Sequence, residues 1–478
     1  MIYTQAIRTR ILHLALQGKL VPHNSSDDSA IDLVSALCKK IKGQSFQNNI
    51  SQQKIPYDIP DSWVWCHLSD IGTTNIGLTY HPEDVSANGT IVARSSNIVN
   101  NKMDYTDLVK VTCPIRDNQF LHTHDILICA RNGSKALVGK CAIFEGTPKT
   151  VAFGAFMAVF RTPLYRFVYY YFNSQVFKRN FFNDESKQIN QVTQSILKKS
   201  LIPIPPIQEQ ERITRKIEQA FSILDTIDKL QAQYADNLTA LKSKLIDAAI
   251  QGKLTEQLPE DGTAEELYQQ IQIEKAKIVF ERKGRKDNSI LPVDEKIPFE
   301  IPEKWKWIRF GETGFFRKGP FGSSLTKSMF VPKSADTIKV YEQQHAIKKD
   351  HTLGTYYITK EYFDTSMKGF EVLSGDIIVS CAGTIGETYI LPDNIERGII
   401  NQALMRITIA PSIDKYFFLY YFDSQLKKSA KDGNGAAIIN IPPFDVLKNL
   451  YFPLPPLAEQ KRIVQKLEEI LPLCEKKK

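Results

Sequence analysis

The stretch IPIPPIQEQERI at 202–213 returns as FPLPPLAEQKRI at 452–463. A proline-rich run that turns abruptly polar and helical has little reason to occur twice in one domain. It is also not alone. QGKL at 17–20 recurs at 251–254, and KIPYDIPDSWVW at 54–65 recurs as KIPFEIPEKWKW at 296–307. DILICA at 125–130 returns as DIIVSCA at 376–382, and YYFNSQ at 170–175 as YYFDSQ at 420–425. Echoes in the same order at nearly constant spacing make the chain a duplicated unit, and that duplication governs everything it can fold into.

Each copy reads alike. A helical stretch ends in QGKL, a short amphipathic helix follows, and a proline-punctuated linker leads to a Trp-x-Trp pair (Trp63 and Trp65; Trp305 and Trp307). Then come short β-type runs, DILICA, TVAFGAFMAVF, DIIVSCA and QALMRITIA, rich in β-branched and aromatic residues. The aromatic runs YRFVYYYFNSQVF and KYFFLYYFDSQL read as helices packed on a sheet. After the proline phrase a long helix is expected, because Pro205, Pro206, Pro455 and Pro456 suit a helix start and not its interior. Glu209 and Glu211 lie where the helix dipole favours anions. From Ile213 the apolar positions Ile217, Phe221, Leu224, Ile227, Leu230, Tyr234, Leu238, Leu241 and Leu245 step by threes and fours, as in a coiled-coil core seam. A helix over 207–250 would span roughly 65 Å and act as a spacer.

The repeat is offset at its ends. Lys478 corresponds to Asp228 and Met1 to Ala235, so the C-terminal tail supplies the first half of a second long helix and the N-terminus its second half. The expected architecture is α+β: two α/β domains separated by two long antiparallel helices in a cyclic, pseudo-two-fold repeat. Residues 1–20 and 455–478 are expected to lie together alongside helix 207–254. Pro472 has Ser222 as its counterpart, so the last helix is expected to kink or end early.

Composition narrows the function classes. The net charge of +8 and pI near 8.8 permit a phosphate-backbone partner without demanding one. No apolar run approaches the length of a membrane span. The N-terminal apolar pattern is broken by Arg8, Arg10, His13 and Lys19, unlike a signal peptide. The seven cysteines are scattered with no C-x-x-C pair, which points to a reducing cytoplasm and away from a thiolate metal site.

The chain resembles the specificity subunit of Type I restriction–modification systems. PIPPIQEQERI and PLPPLAEQKRI look like that family's repeated phrase, and the QGKL ends and the IPxxIPxxWxW segments match its pattern; the likeness spans essentially the whole chain. It implies two target recognition domains, 21–204 and 257–454, a central spacer helix over 205–256, and a split second helix made of 1–20 and 455–478. It further implies a non-catalytic subunit that reads a split, asymmetric site in double-stranded DNA. Two modification subunits would methylate adenine at N6 with S-adenosylmethionine, and two restriction subunits would use ATP and Mg for translocation and cleavage. This chain itself would hold no cofactor and touch no membrane. The rival reading is a stand-alone DNA-binding regulator or scaffold.

Motifs that resemble catalytic ones are weak. NIPPF at 440–444 is similar to an amino-methyltransferase loop, but Ile441 separates Asn440 from the proline pair, so a proline turn is the plainer reading. GSKALVGKC at 133–141 has five residues between its glycines and Cys141 where a phosphate loop needs Ser or Thr. His122 and His124 beside Asp125 read as a surface turn, and ERKGRKD at 281–287 as a solvated helix end.

The informative stretches are where the copies diverge. VARSSNIVNN offers Arg94, Ser95, Ser96 and Asn97; VYEQQHAIKK, at a comparable place, offers Tyr341, Gln343, Gln344 and His345. Arg can pair bidentately with guanine, and Asn or Gln with adenine, in the major groove. CARNGSK adds Arg131, Asn132 and Lys135, and the glycine-rich turn FFRKGPFGSSL brings Arg317 and Lys318 towards phosphate.

Overall fold

The computed structural model describes residues 2–48, 50, 55–147, 149–182, 191–282, 289–294, 296–432 and 443–475. The chain divides into two compact units, Met1–Ala232 and Gln233–Lys478, and the division falls inside one continuous helix.

In the first unit, helix α1 (Thr4–Leu16) ends at Gly18, whose φ of +70° makes the left-handed turn that closes a helix. A side chain on Gly18 would meet the ring of Pro60 at 2.5 Å, so the QGKL glycine and the proline before the Trp pair are two faces of one contact. Helix α2 (Ala30–Lys42) is capped by Ser29. Strand β1 (Val64–His67) follows directly on Trp63.

The domain core has three layers. A four-stranded antiparallel sheet runs β2 (Thr73–Ile76), β8 (Met157–Arg161), β5 (Ile126–Cys129), β6 (Cys141–Ile143). A three-stranded sheet has β3 (Val85–Ala93) between β4 (Val109–Val111) and β7 (Val151–Phe153), with β3 and β7 parallel. In β5, Ile126 and Ile128 pack with Phe167, Val168 and Phe172 of helix α3 (Tyr165–Phe172), while Leu127 and Cys129 pack with Ile91, Val151 and Phe153 of the smaller sheet. The period-two alternation of a strand thus serves two apolar faces at once. The aromatic run is a helix, as its spacing predicts.

The proline phrase does two jobs. Residues 201–204 form strand β9 (Leu201–Ile204), which pairs antiparallel with β1 so that Pro203 faces Trp65. Pro206 then gives its carbonyl to the amide of Gln210, opening helix α4 (Ile207–Ile250, 44 residues). Two of its polar letters are buried: Glu209 is bonded to His23 at 2.9 Å and Gln210 donates to the Pro205 carbonyl at 2.8 Å, while the half-buried Arg212 forks onto Asp27 at 2.9 and 2.5 Å. Further along, Arg8 of α1 bonds Asp225 and Asp228, and Ile2 meets Gln231, so α1 runs antiparallel to α4 within this unit.

The second unit repeats this plan. Its four-stranded sheet is β11 (Gly314–Lys318), β18 (Leu404–Ile409), β15 (Ile377–Ser380), β16 (Thr388–Ile390). The smaller sheet is β13 (Tyr357–Thr359), β12 (Thr337–Tyr341), β17 (Gly398–Ile400), β14 (Glu371–Val372), again with one parallel pair, β12 with β17. Strand β10 (Lys306–Arg309) pairs with β19 (Tyr451–Leu454), Trp307 facing Pro453. Helix α5 (Ala264–Glu281) takes the place of α2, α6 (Lys415–Asp432) carries the aromatic run, and α7 (Leu457–Ile470) follows the second phrase. Arg462 forks onto Asp261 at 2.6 Å twice, Gln460 donates to the Pro455 carbonyl at 2.9 Å, and Gln257 donates to Glu459 at 2.7 Å. Gly252, at φ +70°, sits against Pro302. Helix α7 packs on the end of α4 through a core shared by Ala249, Ile250, Ile463, Val464 and Leu467, and Lys242 reaches Glu475 at 3.4 Å. The helix stops at Ile470, where Pro472 enters a single 3-10 turn, so the last helix ends early as the proline implies.

One expectation changes. The apolar stripe of α4 is core at its start, where Ile213, Ile217 and Leu224 are buried, but Leu230, Tyr234 and Leu241 are exposed. Heptad spacing fixes which face of a helix is apolar, not whether anything covers it.

Candidate nucleic-acid interface

Two of the divergent stretches, 92–101 and 340–349, come to corresponding places. Ala93 at the end of β3 lies beside Phe153, and Tyr341 at the end of β12 beside Ile400, each in a parallel pair. In both units the chain then makes the same turn. The Arg94 amide donates to Asn97 Oδ1 at 2.8 Å, and the Glu342 amide donates to His345 Nδ1 at 2.8 Å. The frame is repeated and the residues on it are not.

Several candidates are occupied inside their domains. Asn97 is buried and its amide donates to the carbonyls of Asp104 and Asp107 at 3.0 and 2.7 Å, which shapes the loop. Tyr341 is fully buried and its hydroxyl donates to the Glu396 carbonyl at 2.8 Å; burial pushes its pKa up. His345 is fully buried too, its Nε2 2.7 Å from the Leu353 carbonyl oxygen. These side chains have no free edge to offer a base, so the expectation that they contact DNA is revised: they build the loop. Asn132 braces in the same way, donating to Ser95 Oγ at 3.1 Å and accepting from the Ser134 amide at 2.9 Å. Gln343 donates to the carbonyls of Ala382 and Ala403.

Others face outward. Ser96 is exposed. Arg94 is partly exposed and bonds the exposed Asp107 at 2.8 Å, a pair that competing phosphates can open. Arg131 is exposed, and its guanidinium carbon lies 5.8 Å from the ring centroid of Phe156. Lys135 is exposed one turn further on. In the second unit Gln344 is half-buried and bonds its neighbour Glu342 at 2.9 Å. Arg317 lies over Phe370 at 4.6 Å with its side chain exposed, and Lys318 is exposed beside it. The Cys381 thiol beneath is pushed up to about 11 by burial, with the charge of Lys318 pulling the other way.

Underneath lie carboxylates that organise backbone. Asp125 accepts from the His122 amide at 2.8 Å and pairs with Arg161 at 3.0 Å; burial raises its pKa against both. Its counterpart Asp376 pairs with Arg282 at 2.8 Å and accepts from Thr408 at 2.6 Å. Arg406, 1% exposed, is pushed down to about 10 by desolvation, and its Nε and Nη2 have no partner. His124 stacks on Tyr165 at 4.1 Å. Among the described residues no three His, Cys, Asp or Glu side chains are placed to hold a metal ion, and no helix is long and apolar enough to cross a membrane. Asn440, Ile441 and Pro442 of NIPPF, and residues 283–287 of ERKGRKD, lie outside the described residues.

Two features were missed by reading the sequence. The Glu-Gln of the repeated phrase is buried, and its half-buried Arg forms a joint recognisable only by its pairing with Asp27 or Asp261. Phe156 and Phe321 are exposed, at 62% and 86%, although phenylalanine by default reads as core.

A family profile described as Type I restriction modification DNA specificity domain matches residues 60–233 and 330–477. The chain is 24% identical to the Type I restriction enzyme EcoAI specificity subunit of Escherichia coli, over 99% of this chain and 90% of that one. It is likewise 24% identical to the EcoEI specificity subunit of the same organism, with the same coverage of each. A solved structure from work on complex assembly and conformational transition of the type I R-M system superposes with a TM-score of 0.60 at 17% identity, covering 88% of this chain and 92% of that one. With the duplicated fold and the profile matching both of its copies, the chain belongs to the specificity subunits of Type I restriction–modification systems, which recognise DNA sequence and leave catalysis to other subunits.

Proposed function

We propose that each unit reads one half of a bipartite, asymmetric site in double-stranded DNA, with recognition domains over 21–204 and 257–454. The observation that carries this is the pair of equivalent turns after Ala93 and Tyr341: one backbone frame, built twice, presents different side chains. A homodimer would read a palindrome; a duplicated chain with unlike loops reads unlike halves. In the first unit Arg94, Ser96, Arg131 and Lys135 face outward, supported by Ser95 and Asn132; in the second, Arg317, Lys318 and Gln344 do, supported by Gln343. Base contacts specify and phosphate contacts position.

The helices α1, α4 and α7 would recruit two modification subunits, and two restriction subunits would join them. S-adenosylmethionine, ATP and Mg would be handled by those partners, in the cytoplasm, with this chain holding no cofactor.

The test is an exchange of residues 297–454 for another recognition domain, followed by methylation profiling of host DNA. One half of the methylated site should change and the other stay. A change in both halves, or methylation by this chain without a partner, would overturn the reading. Specific binding that needs no partner would favour a stand-alone regulator.

A further inference from the structure

Each recognition domain exposes a phenylalanine at the same end of its four-stranded sheet, Phe156 and Phe321, and the two come from non-equivalent residues; the other exposed phenylalanine among the described residues, Phe280, lies on helix α5. In the first unit the turn between β7 and β8 carries Phe156. Its carbonyl accepts the amides of Ala130 and Arg131 at 2.9 and 3.0 Å, so the backbone beneath the ring is fixed. In the second unit that position is Ala403, by the matching registers of Met157 with Cys129 and Leu404 with Ser380. There the aromatic comes instead from the neighbouring strand's extension, Phe321, where the first unit has Thr79.

The Phe321 loop is built to project. The Gly319 amide donates to the Leu404 carbonyl at 2.9 Å, and a side chain on Gly319 would collide with the Asn401 carbonyl. Pro320 is buried, and the Ser324 amide donates to the Phe321 carbonyl at 2.9 Å. The ring stands 86% exposed between glycines. Folding gains nothing from it there. Each ring also has cations on its own backbone ladder: Arg131 over Phe156, and Lys318 leading into the Phe321 loop. An aromatic in water flanked by positive charge suits a polyanion with apolar faces between its charges, which is what a base step offers.

We propose that Phe156 and Phe321 are aromatic wedges, one per recognition domain, that press against a base step in each half-site and partly unstack it. This rests on the DNA-reading function above and adds a deformation to it: the site would be selected partly by how easily one step opens, with flexible pyrimidine–purine steps favoured.

The test uses the chain assembled with its methyltransferase subunits and the duplex defined by methylation profiling. 2-Aminopurine is placed in turn at each position of both half-sites. Fluorescence is expected to rise several-fold at one step in each half. Phe156→Ala should abolish the rise in the first half only and Phe321→Ala in the second only, each weakening specific binding about tenfold, with Phe→Trp restoring both signals. Both rings are exposed, so thermal unfolding should be unchanged. Tight specific binding with no fluorescence rise at any position overturns the wedge while leaving the DNA-reading function intact. So does an equal affinity loss on replacing thymine by uracil without unstacking, which would make the rings methyl contacts. An assembly with no sequence preference refutes the underlying function instead.

Discussion

Trp305 and Trp63 occupy equivalent places and should respond differently to the same substitution. The Trp305 indole donates to Glu459 Oε2 at 2.7 Å, and Glu459 is fully buried, its other oxygen taken by Gln257 and Thr255. In the first unit neither the Trp63 indole nitrogen nor Glu209 Oε2 has a partner, although both are buried. Replacing either tryptophan by phenylalanine removes similar apolar surface, about 1 kcal/mol. Trp305→Phe also strands a buried carboxyl oxygen, a further cost of about 2 kcal/mol. Trp63→Phe strands nothing new and deletes a donor that was already unsatisfied. The second unit should therefore lose about 3 kcal/mol and the first about 1 kcal/mol or less, a gap of roughly thirtyfold in opening equilibria. Amide hydrogen exchange reads this unit by unit, at the strand amides of Cys66 and Ile308, which a single melting curve of a two-unit chain cannot. Equal acceleration of exchange in the two units would refute the reasoning.

The Arg212 and Arg462 forks hold Asp27 and Asp261 below the usual carboxylate range, chiefly through their hydrogen bonds. A carboxyl group with a depressed folded pKa stabilises fully above its unfolded pKa, and the gain is lost as pH falls through the folded value. Acid unfolding below the ordinary carboxylate range should therefore be shallower in Arg212→Ala and Arg462→Ala, each also losing about 2 kcal/mol near neutrality, as read by urea unfolding across pH. Arg406→Met should be neutral or stabilising in the same assay, because it removes a buried guanidinium with two unpartnered nitrogens. Gly319→Ala should destabilise the second unit by about 2 kcal/mol or more and shift the Phe321 loop, visible as faster exchange at the Gly319 amide.

The fold was legible because it was written twice. Echoes in register located the strands and the aromatic helices, and two of the divergent stretches between them, 92–101 and 340–349, proved to sit on matching turns. Side-chain direction was not legible. VYEQQH offers the same polar letters whether Tyr341 points in or out, and only the packing of β12 against β17 buries it with His345. TVAFGAFMAVF reads as one apolar run, and nothing in it announces that the chain turns at Ala155 and Phe156 and leaves the Phe156 ring in solvent. The buried polar joint was hidden for the opposite reason: Glu, Gln and Arg at a helix start look solvated until the Asp partners, some two hundred residues away in sequence, are folded against them.

Those joints bear on how such a chain acquires a new specificity. Arg212 with Asp27 and Arg462 with Asp261, and each Trp-bearing strand with its proline-bearing mate, close the two domains with the same fittings. A genetic exchange bounded by these segments delivers an entire reading surface whose fastenings already match, without passing through half-fitted intermediates. Under the proposed reading of one half-site per domain, point mutation must alter a half-site one base at a time while preserving the loop that holds the reading residue. On that same proposal, a lineage built on interchangeable fittings can instead replace half of its vocabulary in a single inherited event.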